Sequence, residues 1–352
     1  MELELLRRLI ATPSTSREES ATADIIASWL EERGISTKRL GNNVIAYSEG
    51  FDPDARPTLL LNSHHDTVKP SPSYTRNPYE PTIEDGKLYG LGSNDAGGSV
   101  VGIISLFHHY HKQTLPFNLL LAITAEEEVM GEGGIRSLGE ELNMVDMALV
   151  GEPTLMQAAI GERGLVVLDC IARGKSGHAA RGEGINALYK AVEDITKLRN
   201  FRFERCSKIL GEINIATTMI EAGTQHNVVP DSCHFVVDLR TTDAYTNEQV
   251  VEILAAELES EIKPRSTRIR ASALDESHPL LCAARKMGAE SYISPTTSDM
   301  ALMSYPSLKM GIGDSARSHT ADEYLYVAEL EEGVKKYKEF IKQLINYYET
   351  ME

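Results

Sequence analysis

Four stretches of the chain are apolar almost without interruption, and each breaks into acid or histidine where it ends. Residues 118–125 (NLLLAITA) run into Glu126, Glu127 and Glu128, and residues 58–63 (TLLLNS) run into His64, His65 and Asp66. Residues 147–150 (MALV) lead to Gly151 and Glu152, and residues 308–313 (LKMGIG) lead through a short loop to Ser318 and His319. Short runs without polar alternation predict strands buried on both faces, as in a parallel sheet covered by helices. In such sheets ligands gather beyond the carboxyl ends of the strands, so the four ends are expected to converge on one crevice. Adjacent carboxylates at the mouth of a core strand repel one another, and divalent cations would relieve that repulsion.

Period-3.6 patterning fills the intervals. Ser16 to Glu19 reads as a capping box, followed at helical spacing by Ile25, Ile26, Trp29 and Leu30 until Gly34. Residues 100–111 predict a helix entered through Gly97 and Gly98. Its His108, His109 and His111 lack a carboxylate at ligand spacing and read as a solvated helix end. Leu330, Val334, Tyr337, Ile341, Leu344 and Tyr348 mark one face of a last helix. Between these lies a segment of different texture, with strands at 165–172, 213–220, 234–239 and 267–271 and helices at 186–198 and 247–262. That order, β-α-β-β-α-β, is ferredoxin-like. The expected organisation is a domain of residues 1–160 and 274–352, interrupted by an inserted domain of residues 161–273.

Composition narrows the function. A 352-residue chain is long for one core, and 42% apolar with 25% charged residues is ordinary for a globular protein. A net charge of −17 argues against a nucleic-acid partner. The N-terminus carries acid where a secretory signal would carry base, and no apolar run approaches a membrane span, so a cytoplasmic protein with no membrane partner is expected. Cys170, Cys206, Cys233 and Cys282 show no Cys-x-x-Cys pair and read as free thiols. Gly174-Lys175-Ser176 imitates the end of a phosphate loop, but Asp169 stands where its first glycine belongs.

Amide hydrolysis needs a nucleophile, a polarised carbonyl and a proton for the leaving amine, and two metal ions joined by a bridging carboxylate can supply the first two. The segment 92–98 (GSNDAGG) offers such a carboxylate in Asp95. With residues 63–68 (SHHDTV), 124–128 (TAEEE), 151–154 (GEPT) and 318–324 (SHTADEY), the chain resembles a family of metal-dependent amidohydrolases and exopeptidases. That family includes acetylornithine deacetylase, succinyl-diaminopimelate desuccinylase, aminoacylase and glutamate carboxypeptidase. The resemblance implies an α/β fold: a zinc-exopeptidase-like catalytic domain with a mainly parallel twisted sheet flanked by helices, and the insert as a lid and dimerisation domain.

Position by position, it implies that His64 and Glu152 bind one ion, Glu128 and His319 the other, and that Asp95 bridges them. Asp66 would orient His64, and Glu127 would be the general base that later delivers a proton to the leaving nitrogen. Glu126 is left without a direct duty, and His65 is a bystander because neighbouring strand residues face opposite ways. His178, in Ser176-Gly177-His178-Ala179, matches an oxyanion-stabilising histidine, with a plain hairpin histidine as its alternative. Asn227 and Arg240 match substrate residues, Arg240 suiting a carboxylate or else a strand-end salt bridge. One departure stands out: many relatives carry Lys where this chain has Gly97. The family also tends to a cis peptide after the bridging aspartate, here Asp95-Ala96.

The implied enzyme is a homodimeric, two-metal deacylase (Zn²⁺ first, Co²⁺ or Mn²⁺ also compatible) acting on an N-acyl basic amino acid. N-acetyl- or N-succinyl-ornithine, as in arginine biosynthesis, leads the expectation. Succinyl-diaminopimelate, acetyl-lysine and dipeptides follow, with Thr296, Thr297, Ser298 and Asp299 either lining the substrate pocket or forming a polar loop. A metal-free binding protein would be expected to have lost some of the five ligand positions, and a serine hydrolase would need a nucleophile elbow, which the chain lacks.

Overall fold

The structure, a computed structural model, describes residues 1–350. By contact density the chain divides into two compact units, one of residues 1–160, 274–293 and 298–352 and one of residues 161–273 and 294–297. No helix among the described residues is long and apolar enough to cross a membrane.

The four apolar runs form the centre of the first unit. Strands Asn118–Thr124, Thr58–His64, Met147–Val150 and Ser307–Lys309 lie side by side in that order, every neighbouring pair parallel. His64 pairs with Thr124 and Asn62 with Val150, which sets the carboxyl ends of the strands in one row. Antiparallel strands Asn43–Tyr47 and Ala158–Glu162 flank this parallel core.

Unbroken apolar runs are explained by burial of both faces. Leu59, Leu61, Leu119, Leu121 and Ile123 pack beneath helices Glu2–Ile10, Ser20–Glu31, Gly98–Tyr110 and Val327–Glu349. The alternate residues Leu60, Leu120, Ala122, Ala148 and Val150 pack on the other side with Ile135, Leu138, Met300 and Met303. On the last helix Leu330, Tyr337, Ile341 and Leu344 are buried, with Val334 and Tyr348 partly buried against the same core.

The helix Ser20–Glu31 corrects one expectation. It begins at Ser20 behind Glu19, without a side-chain cap, and Ser16 is no capping residue. Arg17 takes a left-handed φ of 78°, turning the chain so that the Ser16 hydroxyl donates to Asp66 Oδ2 at 2.7 Å.

The second unit has strand order Asn214–Ala222, Ser232–Thr241, Gly164–Arg173, Glu261–Pro264, all antiparallel, with helices Ala187–Asn200 and Asn247–Glu257 between them in sequence. Here the last helix is shorter and the last strand earlier than the periodicity predicts. Buried Asp194 accepts from the amides of Glu259 and Ser260 at 3.2 and 2.8 Å, and from the Ser260 hydroxyl at 2.7 Å. Those bonds stop the helix at Glu257 and start the strand at Glu261, although Leu258 and Ile262 continue the helical spacing of Val250 and Leu254. Residues 267–271 contribute only a bridge from Ile269 to Leu165. Cys170 and Cys233 are buried in this core, and all four cysteines are free.

Candidate metal centre

The row of strand ends becomes a site because each strand delivers a different ligand type to it. His64 closes its strand with Nδ1 3.1 Å from the Asp66 carbonyl oxygen, an acceptor, so that the neutral ring carries its proton on Nδ1 and presents a bare Nε2. That Nε2 stands 3.3 Å from Asp95 Oδ1, 3.7 Å from Glu152 Oε1 and 3.9 Å from Glu127 Oε2. The other Asp95 oxygen, Oδ2, lies 3.6 Å from His319 Nε2, which in turn lies 2.9 Å from Glu128 Oε2. Asp95 therefore faces one imidazole with each oxygen.

The Asp66 carboxylate organises the ligand loop from behind. Its oxygens accept from the Glu127 amide at 3.0 Å and the Glu128 amide at 3.2 Å, besides the Ser16 hydroxyl, while standing 3.4 Å from His64 Nδ1. It thus aims both glutamates as well as the histidine. Asp95 sits in the tight turn Ser93–Gly97, with a cis peptide at Asp95-Ala96. A Cβ at Gly97 would come within 2.2 Å of the Gly92 carbonyl oxygen, so this turn excludes the lysine that many relatives carry there.

Electrostatics set this cluster apart from a structural salt bridge. Burial, and then the charges of Glu152, Asp299 and Glu128, push Glu127 well above the usual carboxylate range against the pull of His64. Burial and Asp95 push Glu152 up to about 8. Burial opposes a charge on His64, but Glu127, Asp66, Asp95 and Glu152 outweigh it and raise its pKa. His319 rises to about 9 through its bond to Glu128. The acids and imidazoles of the cluster therefore all shift toward binding protons when no cation is present to offset the crowded charge.

The donor set fits divalent metal. His64, Glu127 and Glu152 each offer a donor atom within 4.8 Å of the others, and so do His64, Asp95 and Glu128. Two donors about 2.0–2.1 Å from one tetrahedral ion would lie roughly 3.4 Å apart, which the 3.3, 3.6 and 3.7 Å separations approach. Imidazole and carboxylate donors without thiolate suit Zn²⁺, Co²⁺ and Mn²⁺ alike.

The remaining acids and histidines near the site have other work. His65 is buried, its Nε2 donating to the Asn42 carbonyl and its Nδ1 meeting the Thr22 hydroxyl, each at 2.9 Å, and burial pulls its pKa down to about 4. Glu126 accepts from the Gly133 amide at 3.3 Å and pairs with Arg17 at 3.7 Å. At the other end of the helix Gly98–Tyr110 from the Asp95 turn, His111 is buried rather than solvated and donates from Nδ1 to the His108 carbonyl at 2.8 Å.

Two further buried carboxylates act on the cluster: Asp299, read from the sequence as pocket lining or polar loop, and Glu323, to which the sequence assigns no role. Asp299 accepts from the Thr124 hydroxyl at 2.7 Å and is raised to about 6 by burial. Glu323, 2% exposed, accepts backbone amides from the Asp95 turn, and burial with the Asp95 charge raises it to about 8. The second lies within the segment 318–324, where nothing in the sequence separates it from its acidic neighbour Asp322.

The three other positions named from the sequence lie in the second unit. His178 pairs with Val228 in a short ribbon, and the Ala179 amide donates to the Asn227 carbonyl at 3.1 Å. His178 Nδ1 accepts from the Ala180 amide at 3.2 Å, so its neutral ring carries a donor at Nε2. Arg240 places Nε and Nη2 on Asp238 at 2.8 and 3.2 Å, the strand-end ion pair foreseen as its alternative.

A parallel α/β sheet with imidazole and carboxylate donors gathered at its carboxyl ends is the arrangement of a metallohydrolase. The profile of Peptidase family M20/M25/M40 matches residues 60–343, and the chain belongs to that family. Among similar characterised sequences are a succinyl-diaminopimelate desuccinylase of Wolbachia pipientis, 26% identical over 98% of this chain and 93% of that protein, and an acetylornithine deacetylase of Yersinia pseudotuberculosis, 26% identical over 98% and 97%. The fold is shared with aminopeptidase PepT of Bacillus cereus (TM-score 0.75, 18% identity, 97% of this chain and 98% of that one). It is shared too with a Bacillus subtilis dinuclear metal binding peptidase of the M20 family (TM-score 0.72, 19% identity, 98% of each).

Proposed function

We propose that the chain removes the acyl group from an N-acylated basic amino acid, acetyl- or succinyl-ornithine first, with two divalent ions. His64 and Glu152 would hold one ion, Glu128 and His319 the other, and Asp95 would stand between. The observation that carries this reading is the placing of the two Asp95 oxygens 3.3 and 3.6 Å from two different imidazoles. When bound, such ions lower the pKa of water and polarise an acyl carbonyl. Glu127, which no other site residue's side chain holds in a close hydrogen bond, is the group to accept the proton from water at Oε2 and return it to the leaving nitrogen. Asp66 keeps Glu127 and Glu128 aimed through their amides.

The second unit is assigned its part by resemblance. His178 would donate from Nε2 to the developing oxyanion, and Asn227 and Arg240 would bind substrate, Arg240 with the guanidinium edge that Asp238 leaves open. Exposed Tyr189, Met219 and Ile220 favour a homodimer through this unit. His178→Ala should then lower kcat by about 10²–10³-fold, and sedimentation should give the mass of two chains. Unchanged kcat and a single-chain mass would refute this part.

Substrate identity rests on the two relatives' names, one acting on an acetylated and one on a succinylated amine. Steady-state kinetics on acetyl-ornithine, succinyl-ornithine, acetyl-lysine, succinyl-diaminopimelate and dipeptides should give kcat/KM at least about tenfold higher for an acyl-ornithine, the worth of roughly one well-placed contact. Equal values across the panel would reject the ornithine assignment while leaving the hydrolase intact.

A further inference from the structure

We infer that Glu323 is a positioning residue that joins the Asp95 turn and the His319 loop into one rigid part, and so sets the spacing of the metal ligands. The inference rests on the two-metal reading above. Glu323 Oε1 accepts from the Asn94 amide at 2.8 Å and the Asp95 amide at 2.9 Å, while Oε2 accepts from the Gly92 amide at 3.1 Å. Its own carbonyl accepts from the Gly90 amide at 3.0 Å. One buried side chain thus takes up three amides of the turn, the last of them on the residue whose carboxylate faces both histidines.

The same side chain is anchored to the other ligand. His319 lies four residues upstream in a left-handed conformation, φ 57°, as does Asp322, φ 54°, whose carboxylate accepts the Thr75 and Arg76 amides at 2.9 Å each. Directly after Glu323, Tyr324–Tyr326 pairs antiparallel with Lys87–Tyr89, the strand that leads into the turn. Asn94 ties the far side, donating to the Asp314 carbonyl at 3.0 Å and accepting from its amide at 2.9 Å. Both loops are therefore fixed at both ends, with Glu323 at the centre.

The chemistry requires a carboxyl group. Three amide donors converge on two oxygens, both of which accept even when one of them carries the proton that burial favours, whereas a glutamine would turn an NH₂ against one of them. Losing that acceptor leaves a buried N–H unpaired next to Asp95, and the turn must move to satisfy it. Residues that orient metal ligands in this way typically govern affinity by about 10–100-fold.

The test uses metal-free wild type, E323Q and E323D, titrated with Mn²⁺ by calorimetry and melted in chelator. E323Q should bind Mn²⁺ about 10–100-fold more weakly, with lower kcat, little change in KM and a similar melting point in chelator. E323D, which keeps the carboxyl group but shortens the reach, should fall between. Folded E323Q with Mn²⁺ affinity within about twofold of wild type would overturn the inference. Wild type that takes up no Mn²⁺ would instead sink the two-metal reading and this inference with it. Should E323Q not fold, hydrogen exchange on the wild type decides: the Gly92, Asn94 and Asp95 amides should exchange as slowly as those of Leu59 to Leu61. Exchange at the rate of an exposed loop would refute the clamp.

Discussion

Glu127→Gln should leave metal uptake intact and lower kcat by about 10²–10⁴-fold, the usual worth of a general base. The variant keeps the shape of the side chain and the amide that donates to Asp66 at 3.0 Å, so the loop that also carries Glu128 should not move. What disappears is the ability to take a proton. Glu127 is suited to that task by its surroundings: it is 8% exposed, and Glu152, Asp299 and Glu128 hold negative charge near it. Its donor atom also comes within 4.8 Å of those of His64 and Glu152, so a ligand role is the competing assignment. Metal analysis separates the two, because a ligand lost would lower stoichiometry or affinity as Glu128→Gln should. An E127Q protein that retained a tenth of wild-type turnover, or that lost an ion, would refute the assignment.

The parallel core and its ligand row could be read in the sequence because both faces of those strands are buried. Burial leaves uninterrupted apolar runs, and ionisable groups then stand out at their ends. His64, Glu128, Glu152 and His319 stand out as candidates for that reason, and Asp95 as an acid in a glycine-rich turn, while their assignment to two ions comes from the family resemblance alone. Glu323 and Ser16 do not stand out, since their partners are the amides of Gly92, Asn94 and Asp95 and a distant carboxylate. Backbone amides leave no mark on a sequence, and a serine before Arg-Glu-Glu looks like a helix cap until a left-handed Arg17 turns it elsewhere. The end of the helix Asn247–Glu257 was misjudged on the same ground, because local apolar spacing continued past the point where Asp194 captures the chain.

Stripped of metal, the protein should lose stability steadily as pH rises from about 5 to 9, and divalent ions should reverse most of that loss. Unfolded Glu152 releases its proton near 4.5 and folded Glu152 near 8, so between those values the folded state binds more protons and stability falls with rising pH. Glu127 is shifted in the same direction. His319, raised from 6.5 to about 9 when folded, adds stability below 6.5 that is lost through about 9, and His64 acts with the same sign. Asp66 and Asp95, shifted below 3.8, act in the opposite sense but only at more acid pH. An ion that binds only the folded chain at 1,000 times its Kd adds about 4 kcal/mol, so two would raise the melting point by on the order of 10–15 °C. Glu152→Gln removes a carboxylate that repulsion penalises and a donor that metal needs. Without metal at pH 8 it should melt a few degrees above wild type, and its gain on adding Zn²⁺ or Mn²⁺ should shrink by about half or more. Thermal melts across this pH range, with chelator and with metal, read both effects. A flat metal-free profile, or an E152Q protein less stable without metal yet fully responsive to it, would show that the acids at these strand ends serve the fold rather than an ion.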